Sequence, residues 1–387
     1  MAQQQQVDPR QQNMMNRQLV LQNAINEWLP IYTQTFTSGP GTVINVPLRN
    51  VGLVKRLVVE INGTLNVGAS ETQSQTRFGI SNFLSNVTLT DLSNQTRINT
   101  AGWHLHMLAT AKRQFAFGAA FTSDSPINIG SNFQVIQAPA SYSASGQTFR
   151  MFYEIPVAYG DMDLRGAIYA NVVNATFNLQ MTVNPNFFVA STADPALAVY
   201  RSSSAQLGSL PTFTVTVFQN FLDQIPILNG KVVLPALDLG TAYLLNNTSV
   251  SSLVQNQDNP IPYANFRDFM STIAVYDNFG YTTAPIGSDV AYWSLQSANY
   301  TNILKYDPYM ASLLTRWIIS DDFPAGNGLC TYYFDHRNRP ISTIQFGNMS
   351  LILNPANVQS ATSAVYIGYE ALAYINQITQ AGSLYGT

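Results

Sequence analysis

Charge is what this sequence has least of. Asp, Glu, Lys and Arg make up 10% of its 387 residues, against about 25% in an ordinary soluble domain. Cysteine is nearly missing too. Cys330 stands alone, which excludes an internal disulfide framework and suits a reducing compartment. Apolar runs such as "LVKRLVVEI" are short and broken by charge, so no segment is expected to span a bilayer. The N-terminal residues lack the apolar core of a secretory signal, and none is expected. With a net charge of −3, no global field draws the chain to nucleic acid, and no sequence-specific nucleic-acid binding is expected.

What remains is apolar and uncharged-polar. Hydrophobic residues reach 46% and aromatics 12%, while Asn, Gln, Ser and Thr supply the polarity. Disorder needs low hydrophobicity together with high net charge, and this chain has neither. The composition fits a folded protein whose surface is covered by other protein, because interface cores are poor in charge and rich in aromatics. The length exceeds what one hydrophobic core normally serves, so two domains are expected.

The period of the apolar residues divides the chain. Asp8 followed by Pro9 is a helix start, and Met14, Leu21, Ile25 and Trp28 then share one helical stripe, with Arg10 and Arg17 as the cations of this segment. Pro30 reads as its end, giving an amphipathic helical arm over residues 1–32. From Thr33 the period becomes two: "TVINVPL", "VKRLVVEINGTLNV" and "NVTLTDL" alternate between turn residues. A helix is expected within "AGWHLHMLATAKRQFA", and strands then resume. The second half repeats the order, with "DPYMASLLTRWII" as its helix. "ATFNLQMTVNPN" and "FGNMSLILNPAN" match as strands stopped by Asn-Pro, each followed by a last strand, Thr212 to Leu222 and Ala364 to Tyr374. The expected fold is all-β: two tandem eight-stranded jelly rolls, at 33–228 and 229–387, each with a short inserted helix.

The groups able to do chemistry are few. Two-domain cupin enzymes are also double jelly rolls, and their metal site needs a His-x-His pair on one strand. His104 and His106 have that spacing but fall on the expected helix, where residues two apart diverge by about 200°, so no metal is expected. Cys330 and His336 lack an oxyanion hole, and Asp321 and Asp322 read as a solvated turn. No catalytic constellation and no cofactor are expected. Tyr281, Tyr292 and Trp293 fit a second reading, a receptor- or glycan-binding spike with aromatic stacking on sugar. The dense cluster "DHRNRP" is either a solvated loop tip or an anchor between subunits through Arg337 and Arg339.

"NPIPYANFRDFMSTIAVYDN", "FDHRNRPISTIQFGNMSLILNP" and the Gln-rich front of the chain resemble the major capsid proteins of tectiviruses, of the double jelly-roll lineage shared with the adenovirus hexon. The resemblance spans nearly the whole chain. It implies a non-enzymatic subunit whose homotrimers are pseudo-hexagonal tiles of an icosahedral shell, assembled in the host cytoplasm with minor capsid and vertex proteins. That shell encloses a membrane around double-stranded DNA, and the N-terminal helix (Arg10, Met14, Arg17, Leu21, Ile25, Trp28) faces the lipid.

Overall fold

The computed structural model describes residues 8–68, 71–76, 78–117, 135–172, 175–191, 197–263, 268–278, 287–318, 328–333, 340–342, 346–359 and 363–374. Helix α1 (Pro9–Asn23) is capped by Asp8, whose side chain accepts from the Arg10 amide. The first half then supplies β1 (Ile25–Phe36), β2 (Val43–Pro47), β3 (Leu53–Asn66), β4 (Leu84–Thr90), β5 (Thr96–Thr100), helix α2 (Gly102–Phe117), β6 (Gln147–Pro156), β7 (Asn178–Val183) and β8 (Ser209–Asp223). After the hairpin of Ile227–Leu228 and Lys231–Val232 comes the single turn α3 (Ala236–Leu239). The second half supplies β9 (Thr241–Val250), β10 (Asn259–Pro262), β11 (Asp268–Asp277), β12 (Val290–Ser297), β13 (Leu304–Tyr306), helix α4 (Pro308–Ile318), β14 (Leu329–Tyr333), β15 (Met349–Pro355) and β16 (Ala364–Tyr374).

The halves share one topology. In the first, the sheets run β1-β8-β3-β6 and β2-β7-β4-β5; in the second, β9-β16-β11-β14 and β10-β15-β12-β13. Each is a jelly roll, and each places its helix between the fifth and sixth strands. The alternation seen in the sequence is the cause. Along β3, Leu57, Val59 and Ile61 are fully buried while Arg56, Val58 and Glu60 face outward. Aromatics fill the first sandwich: Phe83 lies 5.5 Å from Phe149, 5.3 Å from Phe187 and 5.5 Å from Phe213.

The rolls are also joined through their backbones. β5 pairs in parallel with β9, Leu245 opposite Ile98 and Asn246 opposite Asn99. Two four-stranded sheets thereby become one, nine strands wide once Ile341–Ser342 is included.

The N-terminal expectation needs correction. The helix ends at Asn23, Ala24 is extended, and Ile25 is already paired with Asp223 of β8. Ile25 and Trp28 therefore stand on a strand of the first roll, not on an arm. Their spacing suits a helix, but pairing with an eleven-residue register along β8 outweighs that preference. Pro30 is no helix stop. It sits at a bulge in β1, an edge strand, where a missing N–H is tolerated.

Candidate functional site

The built features of this molecule are a seam between the rolls and a dock for α1. At the seam, α2 of the first roll lies against the outer face of the second roll's β9-β16-β11 sheet. Gly368 in β16 makes the close approach possible, since a Cβ there would sit 2.2 Å from the His104 ring. Farther along α2, Lys112 Nζ is 2.6 Å from Glu370 Oε1 and donates to the Tyr243 hydroxyl at 2.9 Å. Glu370 is fully buried. Its carboxylate also accepts from Tyr243 at 2.6 Å and from Ser271 Oγ at 2.9 Å. The ammonium lies over the rings of Tyr159 and Tyr243, 4.6 and 4.7 Å from their centroids. Tyr243, Leu245, Ile273, Val275 and Leu372 join the first roll's core through this face.

The two histidines of α2 are structural. His106 stacks on Tyr153 with centroids 4.4 Å apart, and its Nε2–H donates to the Phe152 carbonyl at 2.8 Å. That fixes Nδ1 as the acceptor for Ser81 Oγ, also at 2.8 Å. His104 Nδ1 pairs with Thr100 Oγ1 at 2.7 Å. Burial, aided by Lys112 in the first case, depresses His104 to about 3 and His106 to about 4. Among the described residues no group of His, Cys, Asp and Glu side chains is placed to hold a metal ion. Cys330 is buried, and burial pushes its thiol far up. A cleft of about 460 Å³ at the seam is lined by Asn82, Ser85, Asn184, Asn247, Ser249 and Tyr366, among others, and among the described residues no carboxylate, imidazole or thiol lines it.

The six arm residues divide. Arg17 forms a two-pronged pair with the buried Asp238 of α3, 2.6 Å on each prong, which holds its guanidinium charged. Asn13 donates to the same carboxylate at 3.0 Å, and Asn16 to the Leu234 carbonyl at 2.9 Å. Leu21 is half-buried against a small core of Val20, Leu53, Leu164, Leu222 and Val233. Arg10, Met14, Ile25 and Trp28 remain exposed. The helix is thus clamped at the junction between the rolls, with Met14 and Met15 exposed on its outward side; Met162, Ile227 and Leu228 are further exposed apolar side chains.

Other sequence candidates do not come together. Trp293 is fully buried in the second roll's core and offers no face to a sugar. Tyr292 is bonded to Asp258 and covered by Lys305, 3.6 Å from its ring centroid. Tyr281, Asp321, Asp322, His336, Arg337 and Arg339 lie outside the described residues.

Comparison with known proteins places these features. Residues 1–225 match the family model described as P3 major capsid protein N-terminal, and residues 240–385 its C-terminal counterpart. The chain belongs to the P3 family of major capsid proteins. Major capsid protein P3 of Enterobacteria phage PRD1, a tectivirus, is 36% identical over 99% of both chains. A chain of Sulfolobus Turreted Icosahedral Virus superposes at a TM-score of 0.60 with 12% identity, covering 93% of this chain and 94% of that one. One from the PBCV-1 virus capsid gives 0.51 with 12% identity over 90% and 94%. Both likenesses concern the fold alone. As a P3-family protein the chain is a component of the virion's capsid, and self-association into a shell is what its surfaces serve. The seam residues Lys112, Gly368 and Glu370 were not singled out from the sequence, although "YIGYEALAYI" sets a glycine and a lone carboxylate inside an aromatic strand.

Proposed function

We propose that three copies of this P3-family chain close into a trimer of six rolls, the pseudo-hexagonal tile of an icosahedral shell that encloses a membrane and double-stranded DNA. The observation that carries it is the identical strand order of the two rolls. Two like rolls per chain let a closed threefold assembly present six similar edges, so that one subunit type tiles a hexagonal net. Low surface charge fits the same role. Among the described residues several of these charges are spent on ion pairs within the fold, as in Arg97–Asp91, Arg150–Glu60, Arg56–Glu154 and Arg165–Asp163. The edges are left to Asn, Gln, Ser and Thr contacts that adapt to different neighbours. Minor capsid and vertex proteins meet those edges, with Arg337 and Arg339 as proposed contacts between copies. Assembly takes place in the host cytoplasm, and the chain carries out no reaction. We place the domain boundary within the hairpin between β8 and α3. Sedimentation equilibrium is expected to return three times the chain mass of 42.6 kDa at micromolar concentration; a stable monomer would contradict the tile.

The end bearing α1 is the side we assign to lipid. Met14, Met15, Trp28, Ile227 and Leu228 are its exposed apolar side chains, with Arg10 and Lys231 nearby in sequence. Because Arg17 is committed to Asp238, Arg10 is the free-standing cation of the helix. A cation near an anionic surface contributes only about 1 kcal/mol, so one tile binds weakly and a full shell binds by avidity. Deleting residues 1–30 would remove half of β1, so point changes are the cleaner test. Met14→Glu with Met15→Glu is expected to reduce co-sedimentation with anionic vesicles several-fold and leave the trimer mass unchanged. Equal co-sedimentation of variant and parent would reject the lipid-facing assignment.

A further inference from the structure

Two kinds of edge strand meet where the rolls join. β5 is the last strand of the β2-β7-β4-β5 sheet, β9 is the first of β9-β16-β11-β14, and they pair in parallel. Each roll has both kinds of sheet, so each kind of edge occurs twice in the chain. The counterpart of β5 is β13, and the counterpart of β9 is β1. Both counterparts are edge strands, and among the described residues no strand pairs with their outer sides. A long open edge is a template for pairing, and proteins that leave one exposed usually guard it with charge. β1 runs for 12 residues with Glu27 as its one charged side chain. The positions correspond closely. Ile98 and Leu304 each stand four residues before the first residue of the following helix, and each lies opposite a buried leucine, Leu89 and Leu295. β3 and β11 each carry a bulge against the last strand of their roll, Lys55 between the partners of Phe221 and Asn220, and Met270 between those of Ala371 and Glu370. Aligning the bulges matches Asn220 with Glu370, whose partners on the other side are Trp28 of β1 and Leu245 of β9. The seam within the chain buries Ile98 and Leu245 completely, whereas Leu304 is half-buried and Trp28 is 49% exposed.

We infer that β13 of one copy pairs in parallel with the outer edge of β1 of a second copy, Leu304 opposite Trp28 and Lys305 opposite Leu29, repeating between copies the join that β5 and β9 make within one. The occupant is a second copy because the chain already contains the same two kinds of strand paired in this way. Two complementary edges on different rolls make a head-to-tail contact, which closes into a ring when the rotation permits. The pairing gives Trp28 to the neighbouring copy and leaves the methionines of α1 and the Ile227–Leu228 strand to lipid. The inference rests on the trimer reading and names the strands that close it.

Cysteine pairs test the register directly. Neighbouring strands lie about 4.7–4.9 Å apart, within the roughly 4.4–6.8 Å between Cα atoms that a disulfide spans. Full chains with Trp28→Cys and Leu304→Cys, and separately with Leu29→Cys and Lys305→Cys, are oxidised as trimers and run on non-reducing gels. Covalent ladders of up to three chains are expected from both. None is expected from the single variants, or from Thr35→Cys with Leu304→Cys, which lies farther along β1. The second measurement is sedimentation velocity of Trp28→Arg, with a circular-dichroism melt to verify the fold; trimer formation is expected to weaken at least about 10-fold. A parent chain that sediments as a monomer overturns the trimer reading and this pairing with it. A trimeric parent whose double variants at 28 and 304 and at 29 and 305 form no ladder overturns the pairing alone, as does a ladder seen only with Thr35→Cys. So does a folded Trp28→Arg chain that trimerises as tightly as the parent.

Discussion

Glu370→Ala is expected to lower the stability of the subunit by about 3–5 kcal/mol, the cost of removing one member of a buried ion pair and stranding the other. The carboxylate has no exposure and three partners, so its loss leaves Lys112 facing a void and deprives the Tyr243 and Ser271 hydroxyls of their acceptor. Glu370→Gln retains acceptor capacity for the hydroxyls and should cost less. The informative comparison is Lys112→Met combined with Glu370→Leu. Replacing both partners by apolar side chains removes the stranded charge, and the double variant should recover most of the loss. Urea unfolding at neutral pH measures all of these. A single Glu370→Ala variant within about 1 kcal/mol of the parent would mean that the pair does not hold the seam.

Mild acid should weaken the same region. His104 and His106 have folded values of about 3 and about 4, whereas in the unfolded chain both rings titrate near the ordinary value of about 6.5. Between those limits the unfolded chain binds protons that the folded chain refuses, so stability is complete above about pH 6.5 and falls as the pH drops toward 4. Each ring contributes a slope of about 1.4 kcal/mol per pH unit, and two rings over two units amount to several kcal/mol. Thermal midpoints at pH 7 and pH 4.5 should therefore differ widely. His106→Gln should flatten part of the profile, because glutamine does not titrate there. A profile unchanged by that substitution would place the acid sensitivity elsewhere.

The parts of the fold that could be read in the sequence are those fixed by local pattern. The two inserted helices announce themselves by a change of period, and Asp307 caps α4 by accepting from the Met310 amide at 2.8 Å, as Asp8 does for α1. The duplication is legible in the paired Asn-Pro strand ends, because both copies solve the same turn with the same residues. The end of α1 was not legible. Ile25 and Trp28 satisfy a helical stripe, and only the partner strand β8, almost two hundred residues later, makes them extended. The seam lies further out of reach still. Lys112 and Glu370 belong to different rolls, and neither residue's neighbours indicate the other. Arg17 was readable as a cation but not as a bound one, since its partner Asp238 sits in a turn without periodic pattern.

The pairing of β5 with β9 has a consequence for how the protein is made. When the ribosome has released the first roll, β5 is still a bare edge and the side of α2 that the second roll will cover is turned to water. About 150 codons remain to be read after the linker, which at about 5–20 residues per second is a wait of roughly ten to thirty seconds. During that interval the nascent chain is open to misjoining with its neighbours on the same messenger. The infected cell's folding helpers would be needed most at that point.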